Sequence, residues 1–306
     1  MGPTASGKTD AAAALSDHVD CELVSVDSVQ VYRGLDIGSA KPDPVFLERF
    51  PHRLINVRNL LDTYSAADFC ADAHAAINEI QAAGKLPVLV GGTMFYFAAL
   101  HDGLSPLPIA DPGVRETISR QVTTEGLASL YRELQEVDPE FTRDVRPTDT
   151  QRLERGMEIY RITGLPPSVA QAQPRTDALG TRAIKLAMVP ANRAALHQRI
   201  GERFSQMIDQ GLVEEVRGIL NANPDAEDLP ALRSVGYRQA IDHIRDGSPL
   251  DVLIDNGSAA TRQLAKRQLT WLRNQPGVTW FNSLQTDAVS ALMAYLAANH
   301  RTRQFC

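Results

Sequence analysis

Cysteine is scarce in this 306-residue chain. Cys21, Cys70 and Cys306 lie far apart with no paired spacing, which leaves no basis for a disulfide framework or a cysteine-held metal. A reducing cytosol is therefore the expected compartment. No apolar run approaches the ~20 residues a membrane helix needs, so no membrane partner is expected. The N-terminus enters a glycine-rich loop at once, and no secretory leader is expected. Internal repeats and low-complexity tracts are missing too. So is a basic excess: 31 Lys and Arg stand against 37 Asp and Glu, a net charge of −6. That balance argues mildly against a nucleic-acid partner, because phosphate contacts call for cations. One segment departs from it. Thr261 to Arg273 (TRQLAKRQLTWLR) holds Arg262, Lys266, Arg267 and Arg273 and no acidic residue. A local basic face of this kind keeps an acidic chain compatible with an RNA substrate.

What is present is ordinary for a globular protein: 43% hydrophobic and 22% charged residues, over a length that suffices for a real core. The first hundred residues alternate between helix and strand patterns. Gly7 to Val19 is alanine-rich and reads as a helix. Glu22 to Val26 (ELVSV) fits a buried strand ending at Asp27. Ala66 to Ala83 places Phe69, Ala73, Ile77 and Ile80 at helical spacing, with Gly84 as its stop. Leu86 to Val90 (LPVLV) is a second buried strand, leading into Gly91, Gly92 and Thr93. This alternation implies a mostly parallel sheet covered by helices.

The texture changes near Asp111. Helical patterns dominate to about Ala178, as over Thr123–Glu136 and Asp149–Ile162, and Pro166–Asp177 reads as a loop. Thr181 to Val189 (TRAIKLAMV) then predicts a strand returning to the sheet. Helices fill Asn192 to Asn274, and Val278–Phe281 adds a last strand. The expected organisation is an α/β core in two parts, residues 1–111 and 179–306, around a helical insertion at 112–178. The fold class is a P-loop NTPase-like, mostly parallel sheet flanked by helices.

The eight residues Gly2, Pro3, Thr4, Ala5, Ser6, Gly7, Lys8 and Thr9 fit the P-loop pattern G-x-x-x-x-G-K-[ST]. The glycines let the backbone curl so that successive N–H groups converge. The following helix adds its positive end, and Lys8 a full charge. Thr9 is placed to ligate Mg²⁺. A diphosphate-bearing ligand is expected. A P-loop ordinarily follows a central strand, whereas here only Met1 precedes Gly2; a truncated or misassigned start is the expectation, leaving a groove in the sheet and a poorly anchored loop.

Hydrolytic P-loop enzymes carry a strand ending in a magnesium-supporting acid. Leu86–Val90 ends in Gly-Gly-Thr instead. Glu22–Val26 does end in an acid, and Asp27 at the edge of a parallel sheet has three roles open to it: metal support, general base, or cap of a turn.

The runs GPTASGKT, SVDSVQVYRGLDIGSAKP, PHRLIN, YSAADF, LVGGTMFYF and GLSPLP resemble the bacterial tRNA dimethylallyltransferase (tRNA isopentenyltransferase) family. The likeness continues through DTQRLERGMEIY, LHQRIGERFSQMI, SVGYRQAI and TRQLAKRQLTWLR, in the family's order from Gly2 to about Trp280. The resemblance implies transfer of the dimethylallyl group from dimethylallyl diphosphate to N6 of the adenosine 3′-adjacent to the anticodon. The P-loop then holds the donor's diphosphate, with Mg²⁺ shielding the leaving group and Thr9 as its protein contact. Asp27 becomes the general base, and Lys8 and Arg203 stabilise charge on the departing diphosphate. Thr93 matches a position that meets tRNA near the reaction channel.

The same resemblance assigns tRNA contacts to Asp27, Ser28, Val29 and Gln30, and to Arg115. It adds Gln151, Arg152, Leu153, Glu154 and Arg155, then Ser234, Val235, Gly236, Tyr237, Arg238 and Gln239. The last block is Lys266, Arg267, Gln268, Leu269, Thr270, Trp271, Leu272 and Arg273. Taken singly, the basic residues among these read as solvated helix faces, with Leu264, Leu269 and Leu272 packing inward. The target base must be unstacked to reach the donor, and the insertion at 112–178 suits a clamp over the anticodon stem-loop. A monomer is expected. Gly156 departs from the family's usual alanine, at a mild cost in helix stability, and the tail after Leu284 carries no family feature. Three other readings stand behind this one. A prenyltransferase acting on free adenine nucleotide would not need the RNA-contact blocks. A small-molecule P-loop kinase would have no use for GGTMFYF or SVGYRQ, and a non-catalytic RNA-binding protein would not depend on Asp27.

Overall fold

The computed structural model describes residues 1–180 and 183–300. In chain order the first elements are α1 (Lys8–Ser16), β1 (Cys21–Val26), α2 (Pro44–Arg49), β2 (His52–Arg53), α3 (Ala66–Ala82), β3 (Leu86–Gly91) and α4 (Met94–Asp102). Then come α5 (Pro112–Glu125), α6 (Leu127–Val137), α7 (Pro139–Arg143), α8 (Thr150–Thr163) and α9 (Pro167–Gln171). The chain closes with β4 (Lys185–Val189), α10 (Arg193–Asp209), α11 (Leu212–Ala222), α12 (Tyr237–Asp246), α13 (Leu250–Arg273), β5 (Val278–Asn282) and α14 (Ala288–His300). The protein is thus mixed α/β, with little sheet and many helices. No described helix is long and apolar enough to cross a membrane.

Two compact units divide the chain: Met1–Ala98 with Thr181–Cys306, and Ala99–Gly180. In the first, β1 lies between β2 and β3, and all three run parallel, with Cys21 opposite Leu86 and Val26 opposite Gly91. Four consecutive buried residues end β1, as expected for a strand covered on both faces. Helix α3 begins at a capping box in which Ser65 and Asp68 satisfy each other's backbone amides.

The returning strand behaves differently from expectation. β4 pairs with β5 in a separate two-stranded parallel sheet and does not join β1–β3. What meets β4 on the loop side is Met1, whose amino group donates to Leu186 O (2.8 Å) and whose carbonyl accepts from Met188 N (2.9 Å). One backbone residue cannot carry a ladder across. Apolar packing joins the elements instead, with Ala11 and Leu15 of α1, Val88 of β3, Met188 of β4 and Leu292 of α14 in one cluster. The strand expected at Thr181–Val189 begins at Lys185; Thr181 and Arg182 lie outside the described residues, as do Arg301 to Cys306.

The largest core of this unit gathers Val31 and Leu35 against Phe204, Leu212, Val216, Leu232, Tyr237 and Leu253. It fixes α10–α13 beside the turn that follows β1.

The second unit is helical. Ile118, Leu130, Leu134, Leu153 and Met157 form its core. The helix expected over Thr123–Glu136 is two helices, α5 and α6, because Gly126 adopts φ 81° and turns the chain. The expected loop at Pro166–Asp177 contains the short α9. Gly156 has a packing reason for being glycine: a Cβ there would stand 2.6 Å from the Phe141 ring.

Candidate active site

The P-loop curls through Ala5 (φ 60°) and Gly7 (φ 81°), two left-handed residues that aim the amides at the start of α1 into one concavity. A cavity of about 590 Å³ opens there, walled by Thr4–Thr9, by Asp27, Val29 and Gln30 after β1, by Ser39 and Ala40, by Arg203 of α10, and by Gln268 of α13. Every wall belongs to the α/β unit.

Two cations meet at this cavity. Burial, and next the neighbouring Arg203 guanidinium, push the Lys8 ammonium down to about 8, while Asp27 pulls it upward. Arg203 is likewise lowered by burial, with Asp27 and Asp10 opposing. Among the described residues their hydrogen bonds go to backbone carbonyls alone, Lys8 to Pro3 (3.3 Å) and Arg203 to Ala40 (3.4 Å). Two neighbouring half-buried cations whose hydrogen bonds go only to carbonyls are costly, and an anion between them would lower that cost.

Asp27 Oδ1 accepts from the amides of Val29 (2.9 Å) and Gln30 (3.1 Å), so it caps a turn. That turn fixes the carboxylate at the cavity wall. Thr93 Oγ1 accepts from Ser28 N (3.1 Å), bracing the turn from the end of β3. The Gln30 amide is held at both ends, donating to Ser39 and Ala40 carbonyls and accepting from Ser25 Oγ.

The RNA-contact blocks separate by exposure. On α13, Lys266, Arg267, Thr270 and Arg273 face solvent, while Gln268, Leu269, Trp271 and Leu272 turn inward. Leu272 is fully buried, which removes its side chain from any RNA surface, and the half-buried Leu269 packs on the cluster that also takes Ala5. Ser234, Val235 and Gly236 line the cavity, and Arg238 is exposed. Tyr237 is fully buried, its hydroxyl donating to Glu215 (2.7 Å), and Gln239 caps the Gly236 amide (2.9 Å). Both side chains thus hold the fold around the start of α12.

In the helical unit, Gln151 and Arg152 are exposed and Leu153 is core. Arg115 and Arg155 converge on the buried Glu158, Arg115 Nε donating at 2.7 Å and Arg155 giving its second nitrogen to Pro108 O at 2.7 Å. Burial pushes the Glu158 carboxyl up, and the two guanidinium groups outweigh it, holding the carboxyl low. Glu154, half-buried, makes no part of this cluster.

Sequence reasoning passed over three contributors. Glu215 of α11 accepts from the amides of Asp36, Ile37 and Gly38, fixing the loop that forms one cavity wall. Phe46 and His52 line the cavity. His52 Nδ1 lies 2.6 Å from Phe50 O, an acceptor only, so Nδ1 donates and the buried Nε2 is left as an acceptor. PHRLIN was the one signal for His52; nothing in sequence marks Glu215.

With this geometry in place, comparison with known proteins is direct. The model of the family described as IPP transferase matches residues 30–275. A tRNA dimethylallyltransferase of Thiobacillus denitrificans is 47% identical over 300 residues, covering 98% of this chain and 95% of that protein. One of Stenotrophomonas maltophilia is 49% identical over 288 residues, covering 92% and 90%. Among solved structures, the tRNA isopentenylpyrophosphate transferase of Bacillus halodurans superposes with TM-score 0.70 at 32% identity, over 97% of this chain and 94% of that one. A eukaryotic dimethylallyltransferase acting on tRNA shares the fold, with TM-score 0.78 at 23% identity, over 99% and 79%. Matched along most of its length by the family model and by relatives near half identity, this chain belongs to the IPP transferase family.

Proposed function

We propose that this chain transfers the dimethylallyl group of dimethylallyl diphosphate to N6 of the adenosine 3′-adjacent to the anticodon in tRNA, releasing diphosphate. The observation that carries the reading is the pair of half-buried cations, Lys8 and Arg203, lining one cavity with the P-loop and the Asp27 carboxylate. The P-loop pattern in the sequence, the mixed α/β fold and the names of the relatives all agree with it.

The chemistry follows from the walls. The P-loop amides, Lys8 and Arg203 hold the diphosphate, and the adenine amine approaches the donor's first carbon from the Asp27 side. The N6–carbon bond forms as the carbon–oxygen bond breaks. Diphosphate leaves with the electron pair, and the amine proton passes to Asp27. Lys8 and Arg203 meet the charge that grows on the leaving oxygen. Thr9 and Asp10 supply oxygen donors at the cavity, a set suited to Mg²⁺ bound chiefly through diphosphate oxygens. When bound, Mg²⁺ would neutralise part of the diphosphate charge.

The exposed cations of α13, and Arg115, Arg152 and Arg155 of the helical unit, supply phosphate contacts for the anticodon stem-loop, with that unit acting as the clamp. A tRNA substrate also accords with activity in the cytoplasm.

The test is incubation with dimethylallyl diphosphate, Mg²⁺ and unmodified tRNA, beside Asp27→Ala, with N6-prenylated adenosine read by mass spectrometry. Product from the parent and at least about a hundredfold less from the variant is expected, the lower end of the usual range for a lost general base. Equal product from both would remove Asp27 from the mechanism. Product on free adenosine monophosphate with no preference for tRNA would point to the nucleotide-level enzyme.

A further inference from the structure

We infer that Gln268 is a positioning residue for the diphosphate cradle, and not a contact for RNA. The inference rests on the cavity being the diphosphate site, as proposed above.

Helix α13 has two faces. Its outward face carries Lys266, Arg267, Thr270 and Arg273, and its inward face carries Ala265, Gln268, Leu269 and Leu272. Gln268 is the one polar side chain in that inward stretch, and it is buried. Its Oε1 accepts from the amide of Thr4 in the P-loop at 2.9 Å, and its Nε2 donates to the carbonyl of Gly92 at 2.8 Å. A backbone N–H only donates and a carbonyl only accepts, so the two partners fix which end of the amide is which. Both bonds cross long stretches of chain, so neither follows from local helix geometry.

Two further observations point the same way. A Cβ at Gly92 would stand 2.6 Å from Gln268 Nε2, so the bare glycine makes room for this amide. Beside it, Leu269 and Ala265 pack with the left-handed Ala5. The residues just ahead of the phosphate-facing amides are therefore clamped by a hydrogen bond at Thr4 and by packing at Ala5. The loop is therefore not loosely held. The same side chain reaches the other half of the chemistry. Gly92 precedes Thr93, which holds the Ser28 amide next to Asp27. One amide thus sets the spacing between the diphosphate cradle and the turn bearing the general base. Pre-organisation of this kind appears as affinity for the anion.

Gln268→Met keeps the volume and removes both hydrogen bonds. Calorimetric titration with inorganic diphosphate and Mg²⁺ should show binding about tenfold weaker than in the parent, the usual consequence of leaving buried partners unmatched. Affinity for an anticodon stem-loop RNA should stay within about twofold. In turnover, KM for dimethylallyl diphosphate should rise while KM for tRNA does not. Unchanged diphosphate binding, or a loss confined to RNA, would overturn the inference. A parent that fails to bind diphosphate would bring down the reading of the cavity instead.

Gln268→Glu keeps an acceptor for Thr4 and offers a donor to Gly92 only when protonated, so it serves if the methionine variant does not fold. Its diphosphate affinity, taken as a ratio to the parent at each pH, should recover on acidification from pH ~8 to ~5.5. A flat ratio would equally overturn the inference.

Discussion

Lys8→Met should make the protein more stable while disabling it. Lys8 is half-buried on the cavity wall, and loss of water around it, with Arg203 nearby, takes its pKa from an ordinary 10.5 to about 8. That difference, at ~1.4 kcal/mol per pH unit, means that its charge costs the ligand-free fold roughly 3 kcal/mol. The unfolded chain keeps the proton up to pH ~10.5 and the folded chain only up to ~8. Below pH 8 both carry it and the cost is full. Between the two values the unfolded chain binds more protons, so the parent gains stability as pH rises. Methionine has no such charge. Against the gain stands one hydrogen bond to Pro3 O, worth about 1 kcal/mol. A net stabilisation of ~2 kcal/mol at pH 7 is expected, shrinking to about nothing by pH 9.5. Urea unfolding in phosphate-free buffer measures it, since phosphate would bind the parent and mask the cost. Diphosphate binding by the variant should fall at least tenfold, as expected for a lost contact to a charged group. A variant less stable than the parent at pH 7, or a gain that is the same at both pH values, would refute the reasoning.

Two other outcomes follow from the hydrogen-bond pattern. Glu215→Gln sets an amide donor among the amides of Asp36, Ile37 and Gly38 and the Tyr237 hydroxyl, and should cost about 2–4 kcal/mol in denaturant unfolding; a cost below ~0.5 kcal/mol would show that the loop does not depend on this carboxylate. Arg152→Ala, at an exposed position of the helical unit, should weaken tRNA binding and reduce its salt slope by about one while leaving diphosphate affinity unchanged; an unaltered slope would remove Arg152 from the RNA surface.

Much of the site was legible in the one-dimensional pattern because its chemistry is local. Eight consecutive residues make the P-loop, and Asp27 follows its strand directly, so reading along the chain finds both. The RNA-contact blocks show the limit of that approach. A block of eight residues on α13 must place some side chains on each face of the helix, and exposure divides Lys266 and Arg273 from Gln268 and Leu272. Tyr237 and Leu153 fall out of their blocks for the same reason.

Other features depend on partners far away in the chain. Glu215 is an unremarkable acid on an amphipathic helix until the fold brings three amides to it from residues 36–38. Gly156 reads as a small loss of helix stability until Phe141 is seen packed where its side chain would lie. The strand at Lys185–Val189 was recognisable as a strand, but its pairing with β5 in a separate sheet was not, because pairing depends on which edge lies within hydrogen-bond reach.

Sequence by itself determined the family, the P-loop pattern and the acid at the strand end, since each is written in contiguous residues whose spacing the backbone must obey. Tertiary structure alone decided which members of each block face solvent, in which direction the Lys8 pKa is driven, and that Gln268 joins Thr4 to Gly92. Those follow from burial and from contacts across more than a hundred residues, which no local pattern encodes.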